Sequence, residues 1–194
     1  MVAFAAVMAM GSQPLSAEPV VWELDTTHTS VGFAVRHMMV TTVRGGFGSF
    51  SGTVEVTDGR PETARVKVTV DASSVDTREA RRDQHLRSAD FLEVERFPTM
   101  VFESIGVEPK GADGLRVTGN LTLRGVTRQV VLDVTDLTQP ITDPGGNQRV
   151  GASATARIKR SEFGLTWNRA LEAGGVVVGD EVTIQLDVQL VRQK

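Results

Sequence analysis

Three histidines, His28, His37 and His85, are the side chains best suited to proton transfer or metal ligation in this chain, which contains no cysteine. Thiolate nucleophiles, thiolate metal sites and disulfides are therefore outside its chemistry. His28 and His37 stand nine residues apart on or near one alternating segment. Extended backbone of that length spans roughly 30 Å, so the two cannot share an ion. His85 sits in the stretch HLRSAD, which has no recognised ligand spacing, while His28 is placed to hydrogen-bond Asp25 or Thr27 in a turn. No metal is expected.

A hydrolytic set can be drawn from Asp83, His85 and either Ser104 or Ser161, but only on paper. The G-x-S-x-G turn that exposes a serine nucleophile is missing, and no ordered acid pair for glycoside chemistry is present. Gly174, Gly175 and Gly179 lack the lysine and the following helix of a phosphate loop and read as a loop before a strand. No catalytic residue is assigned, no cofactor is expected, and the chain is not expected to be an enzyme.

The segments that would carry these residues alternate with a period of two. Val31, Phe33 and Val35 share one parity, as do Phe50, Val54 and Val56 beyond a Gly45-Gly46 break. Val66, Val68 and Val70 repeat the pattern, followed by Leu115, Val117, Leu121 and Leu123, and by Val130, Leu132 and Val134. Two long runs close the chain: Val150 to Ile158, through Ala152, Ala154 and Ala156, and Val182 to Leu190, through Ile184. Such alternation marks strands with one face on an apolar interior. With Val20–Leu24 and Met100–Val107, eight or nine strands result, joined by turn clusters such as Asp58-Gly59 and Asp143-Pro144-Gly145-Gly146. Many short-linked antiparallel strands in one 194-residue chain favour a barrel or a sandwich.

Two segments depart from the pattern. Residues 76–88, DTREARRDQHLRS, are rich in helix formers, with Asp76 as the expected N-cap and Glu79 three residues on. They predict a helix lying as a flap over one end or side of the barrel. Residues 1–19 read as a leader: the apolar run Val2–Met10 is too short to cross a bilayer and is followed by small residues up to Ala17. Export is the expectation, with a cytoplasmic protein the alternative, because a basic start to the leader is lacking. The net charge of −3 and the absence of tyrosine argue against a nucleic-acid partner.

Runs of nine to twelve residues make strands of about 30 to 40 Å, long enough for an elongated tube. Ala152, Ala154, Ala156, Gly119 and Gly52 fall on the inward parity and subtract volume from one wall. The tube is then either hollow or filled from the opposite side by Phe33, Phe50 and Phe102. A hollow, oily bore would bind a long apolar molecule by removing its surface from water.

Four ordered motifs carry a family resemblance. Asp25-x-x-His28 leads into Val31-x-Phe33-x-Val35-x-His37 and Val43-Arg44-Gly45; Arg82-Asp83-x-His85-Leu86 precedes Asp90-Phe91-Leu92 and Phe97-Pro98-Thr99. Gly119-x-Leu121-Thr122-Leu123-x-Gly125-Val126-Thr127 follows, then Arg160-Ser161-x-Phe163-Gly164-Leu165 with Trp167 and Val178-Gly179-Asp180. From about Trp22 to Leu190 the chain resembles the YceI-like, polyisoprenoid-binding family. The resemblance implies an all-β fold: an extended eight-stranded antiparallel, lipocalin-like barrel over residues 20–194, with one flanking helix around 77–88. It also implies a long-chain isoprenoid lipid or isoprenoid quinone bound in an internal tunnel, a periplasmic or secreted location, transient membrane contact and a homodimer. Combined with the inward parities, it makes Val31, Phe33, Val35, His37, Phe50, Phe102, Leu121, Ala152, Ala154 and Ile184 the expected lipid-binding residues. Arg36, Arg44 and Arg124 are candidate head-group donors beside His37, though each also fits a strand end. The alternatives are a stress-response or interaction module with a filled barrel, or a lipid-modifying enzyme.

Overall fold

The computed structural model describes residues 18–111, 114–172 and 174–194. Most of the expected leader therefore lies outside the described residues. The strands are β1 (Val20–Leu24), β2 (Ser30–His37), β3 (Thr41–Phe47), β4 (Phe50–Val56), β5 (Arg65–Asp71), β6 (Val75–Asp76), β7 (Thr99–Lys110), β8 (Gly114–Leu123), β9 (Val126–Thr135), β10 (Ile141–Thr142), β11 (Gln148–Lys159) and β12 (Val178–Arg192). One α-helix, α1 (Ala80–Arg87), lies between β6 and β7.

These strands close into an antiparallel barrel of eight staves, because two staves are each made of two strands in line. β1 pairs with the C-terminal part of β12 and β2 with its N-terminal part, so residues 20–37 form one interrupted stave. β4 pairs with β1 and β3 with β2, which makes residues 41–56 a second. The ring continues through β5, β7, β8, β9 and β11 back to β12. Closure removes the unpaired edges an open sheet would expose.

Two sequence expectations are corrected here. Gly45 and Gly46 do not break the chain; they lie inside β3, paired with Phe33 and Gly32. The turn comes earlier, where Val40 N donates to His37 O. A Cβ on Gly45 would sit 2.6 Å from both the Phe33 ring and the Thr77 methyl, so the glycine marks close packing and not a turn. The helix is also shorter than expected. Its N-cap is Glu79, whose carboxylate accepts from Arg81 N and Arg82 N, while Asp76 belongs to β6 and accepts from Arg78 N.

Packing differs between the two ends. At one end α1 and the segment after it cover the barrel, and the most buried apolar residues gather there: Val75, Phe91, Leu92, Leu123, Phe163 and Leu165. Along the remaining length many inward valines and leucines are only half-buried, Val31, Val66, Leu132, Val150 and Leu186 among them, while Val117 and Val130 are buried. An inward apolar residue that retains accessible surface faces a space its neighbours do not fill.

Candidate functional site

That space is a cavity of about 660 Å³ running along the barrel. Its wall is almost wholly apolar, built from the inward parity of every stave. A volume of this size equals roughly twenty waters of bulk liquid, yet each buried water needs two to four polar partners. Few such partners face the bore, so the space suits an apolar occupant.

Eight of the expected residues bound the cavity together: Val31, Phe33 and Val35 on β2, Phe102 on β7, Leu121 on β8, Ala152 and Ala154 on β11, and Ile184 on β12. His37 and Phe50 do not, and each is corrected. His37 is the last residue of β2, beyond a register shift between Val178 and Val182 that breaks the alternation. Phe50 opens β4 directly after the interruption between β3 and β4. The expected small residues also divide. A Cβ on Gly119 would lie 2.3 Å from the Phe102 ring, and one on Gly52 would lie 2.7 Å from Leu24, so neighbouring side chains fill both spaces. Ala156 is buried without bounding the cavity, whereas Ala152 and Ala154 do widen it.

The arginines and serines singled out from the sequence are engaged elsewhere. Arg36 donates to Met39 O and Thr42 Oγ1, while Arg124 donates to Ala89 O, Gly164 O and Glu93. Arg44, on β3, is exposed and does not bound the cavity. The Asp83 carboxylate is buried and accepts from Thr77 N at 2.9 Å and from the Thr77 hydroxyl, whereas His85 Nε2 pairs with Asp90 at 2.8 Å. Ser104 Oγ accepts from Val66 N, and Ser161 Oγ donates to Asp180. The four groups of the paper triad are thus held by four different partners.

Two guanidinium groups that do touch the bore were missed. Arg160, at the helix-covered end, is 6% exposed and donates through all three nitrogens to the carbonyls of Gly179, Leu165 and Val178. Arg192, at the opposite end, lies beside Gln148. Extending the alternation of β11 and β12 by one further step at this end would have found both Gln148 and Arg192.

A strap formed by residues 137–140 also bounds the cavity at that end, and no periodicity announced it. Thr138 N donates to Gly151 O, and Gly151 N donates to Thr138 Oγ1, both at 2.9 Å. Just beyond the strap, Arg149 donates to Asp143 at 2.6 Å and to Asp25 at 2.5 Å. Asp25 also receives His28 Nδ1 at 2.8 Å and Gln189 Nε2 at 2.9 Å. The His28 hydrogen bond, reinforced by Arg149 against partial burial, holds the Asp25 carboxyl well below its ordinary range. Arg149 does the same for Asp143, whose pKa falls to about 2. This ionic cluster ties the β1–β2 interruption to the turn that carries the strap.

The profile of the YceI-like domain family matches residues 22–190. Protein YceI of Salmonella newport is 38% identical over 167 residues, covering 86% of this chain and 83% of that protein. Among solved structures, BcnA of Burkholderia cenocepacia superposes with a TM-score of 0.74 at 23% identity, covering 86% of this chain and 98% of its own. A polyisoprenoid-binding domain from Saccharophagus degradans, implicated in plant cell wall breakdown, reaches 0.62 at 18% identity, covering 89% and 98%. At these identities the two structures share the fold.

Proposed function

The chain belongs to the YceI-like family, and from that premise we propose that it is a non-enzymatic binder of a long-chain isoprenoid lipid, which it carries or sequesters inside the barrel. The observation that carries the reading is the continuous apolar cavity of about 660 Å³, bounded by eight of the ten residues chosen from the sequence. A few hundred Å² of prenyl chain removed from water at about 25 cal/mol per Å² contributes on the order of 10 kcal/mol, before the cost of association. The polyisoprenoid binding of the Saccharophagus degradans neighbour is consistent with this ligand class. Against the filled-barrel alternative stands the same cavity, which Phe33 and Phe102 bound.

The reading includes export, supported by the apolar run and the small residues that precede the barrel. N-terminal sequencing of the mature protein is expected to begin near residue 18, and an intact Met1 would refute it. Native mass spectrometry of freshly purified protein tests the central claim. A co-purifying apolar adduct, or stoichiometric uptake of geranylgeraniol, is expected; a persistent apo mass after lipid loading would refute carriage.

A further inference from the structure

Met38, Met39, Val40 and Val176 are four of the seven large apolar side chains exposed among the described residues, and they stand together. The first three form the tip between β2 and β3, at the α1 end of the barrel, where His37 pairs with Val178. Met38 N donates to Val177 O at 2.8 Å, and a Cβ on Gly175 would sit 3.5 Å from Met39 Cγ. The loop before β12 thus adds Val176 to the same surface. The other three exposed residues, Ile105, Val131 and Ile141, lie on three different strands.

The backbone of this tip runs against its sequence. Met38 and Met39 have φ of 51° and 59°, in the left-handed region that asparagine and glycine enter at little cost. Stability and solubility would both favour those residues here, so two strained methionines held in water call for another reason.

Cations surround the tip. Arg36 reaches across the hairpin to Met39 O at 2.8 Å and to Thr42 Oγ1 at 3.2 Å. Arg44 shares the outer face of the same hairpin, and the carbonyl of exposed Arg169 accepts Val177 N at 3.0 Å. Among the described residues none of these three guanidinium groups has a carboxylate partner. The loop before β12 offers one acid against them, Glu172.

From this juxtaposition we infer that the tip docks on the anionic surface of a lipid bilayer, the four apolar side chains entering the acyl boundary and the arginines meeting the head groups. Four side chains expose far less than the roughly 800 Å² per partner that a stable protein interface buries. A fluid interface accepts a small convex tip that no shaped groove has to match, and arginines beside it hold their charge at the phosphate level. The docked barrel stands on its α1 end, with the strap at residues 137–140 turned away from the lipid. The inference does not rest on the tunnel reading, because an empty barrel carries the same tip.

Sedimentation of the full chain with vesicles free of isoprenoid tests this. Vesicles of equal parts phosphatidylcholine and phosphatidylglycerol are expected to bind it roughly tenfold more tightly than phosphatidylcholine alone, an advantage that shrinks as sodium chloride rises. Met38→Asn with Met39→Gly gives the turn its preferred residues. The melting temperature should therefore hold or rise while vesicle affinity falls roughly tenfold or more. Because the chain lacks cysteine, a polarity-sensitive dye on Val40→Cys reports one position and should shift to the blue on vesicles. The same dye on Ile141→Cys, at the opposite end, should not respond. No vesicle binding, equal affinity for both compositions, undiminished binding of the double variant, or a response at position 141 as large as at position 40 would overturn the inference and leave the tunnel reading untouched. A concentration-dependent dimer that the double variant abolishes, without vesicle binding, would assign the tip to a second copy and overturn it too.

Discussion

Replacing Ala154 with leucine narrows the bore at a place where the structure fixes both walls. Ala154 lies opposite Leu186 on β12 and Val134 on β9, and all three bound the cavity. The substitution adds three carbons at the wall of the cavity. If a prenyl chain passes this level, about three of its carbons lose their place against the wall. At about 0.8 kcal/mol per buried methylene, that is about 2.4 kcal/mol, or roughly fiftyfold weaker binding. The added carbons fill a void and do not compress a packed layer, so the melting temperature should hold or rise. Ala156→Leu is the matched control, because Ala156 is as buried as Ala154, 6% against 7% exposed, but does not bound the cavity. There overpacking should cost about 1–3 kcal/mol of stability and leave affinity little changed. Titration with geranylgeraniol, alongside thermal melts, reads both quantities. Ala154→Leu protein that binds within twofold of wild type at an unchanged melting temperature would show that the ligand does not run along β11.

Three further outcomes follow from particular contacts. Gly119→Val must displace the Phe102 ring, whose nearest atom lies 2.3 Å from the added Cβ, so both melting temperature and lipid affinity should fall; a normal melt and normal affinity would refute the packing described. Asp83→Ala strips the acceptor from the Thr77 amide and hydroxyl in a buried setting, which should cost about 2–3 kcal/mol and lower the melting temperature by roughly 4–12 °C. Asp25 and Asp143 have depressed pKa values when folded, so their stabilisation is complete above the ordinary carboxylate value and is lost as pH falls from about 4 towards 2. Amide exchange around Thr138 and Gly151 should accelerate over that window, and Arg149→Met should remove most of the part that Asp143 contributes while the His28 bond preserves that of Asp25; equal acid sensitivity in the variant would refute the link between this cluster and the strap.

The barrel was legible because its strands are long and their inner face is monotonously apolar. Parity alone placed Val31, Phe33, Leu121 and Ile184 on the bore. It failed where geometry departs from a regular ladder: His37 beyond a register shift, Phe50 at an interruption, and Gly45 and Gly46, whose composition suggested a turn although close packing against Phe33 requires them within β3. Asp76 looked like an N-cap because local spacing fitted a capping box, but pairing with Gly46 draws it into β6. The ionic cluster at Asp25 depends on tertiary closure between segments more than a hundred residues apart, which no local pattern encodes, and the strap at residues 137–140 is held by Thr138 against Gly151 without any alternation of its own.

A hollow barrel is an expensive way to build a stable domain. Residual cavities in cores destabilise by about 24 cal/mol per Å³, so leaving 660 Å³ open forgoes on the order of 15 kcal/mol relative to a filled interior. That is as large as the whole stability of a typical domain. The fold tolerates it because stability is supplied elsewhere: closure satisfies the ladder on every stave, and the packed cluster of Val75, Phe91, Leu92, Leu123, Phe163 and Leu165 anchors one end. Simple substitutions at Ala152 and Ala154 would recover part of the loss, yet the bore keeps its small residues there. An occupant that fills the void explains this without strain. At a free concentration one hundred times its Kd it would return about 2.7 kcal/mol, so lipid and fold should stabilise each other and the melting temperature should climb with lipid concentration.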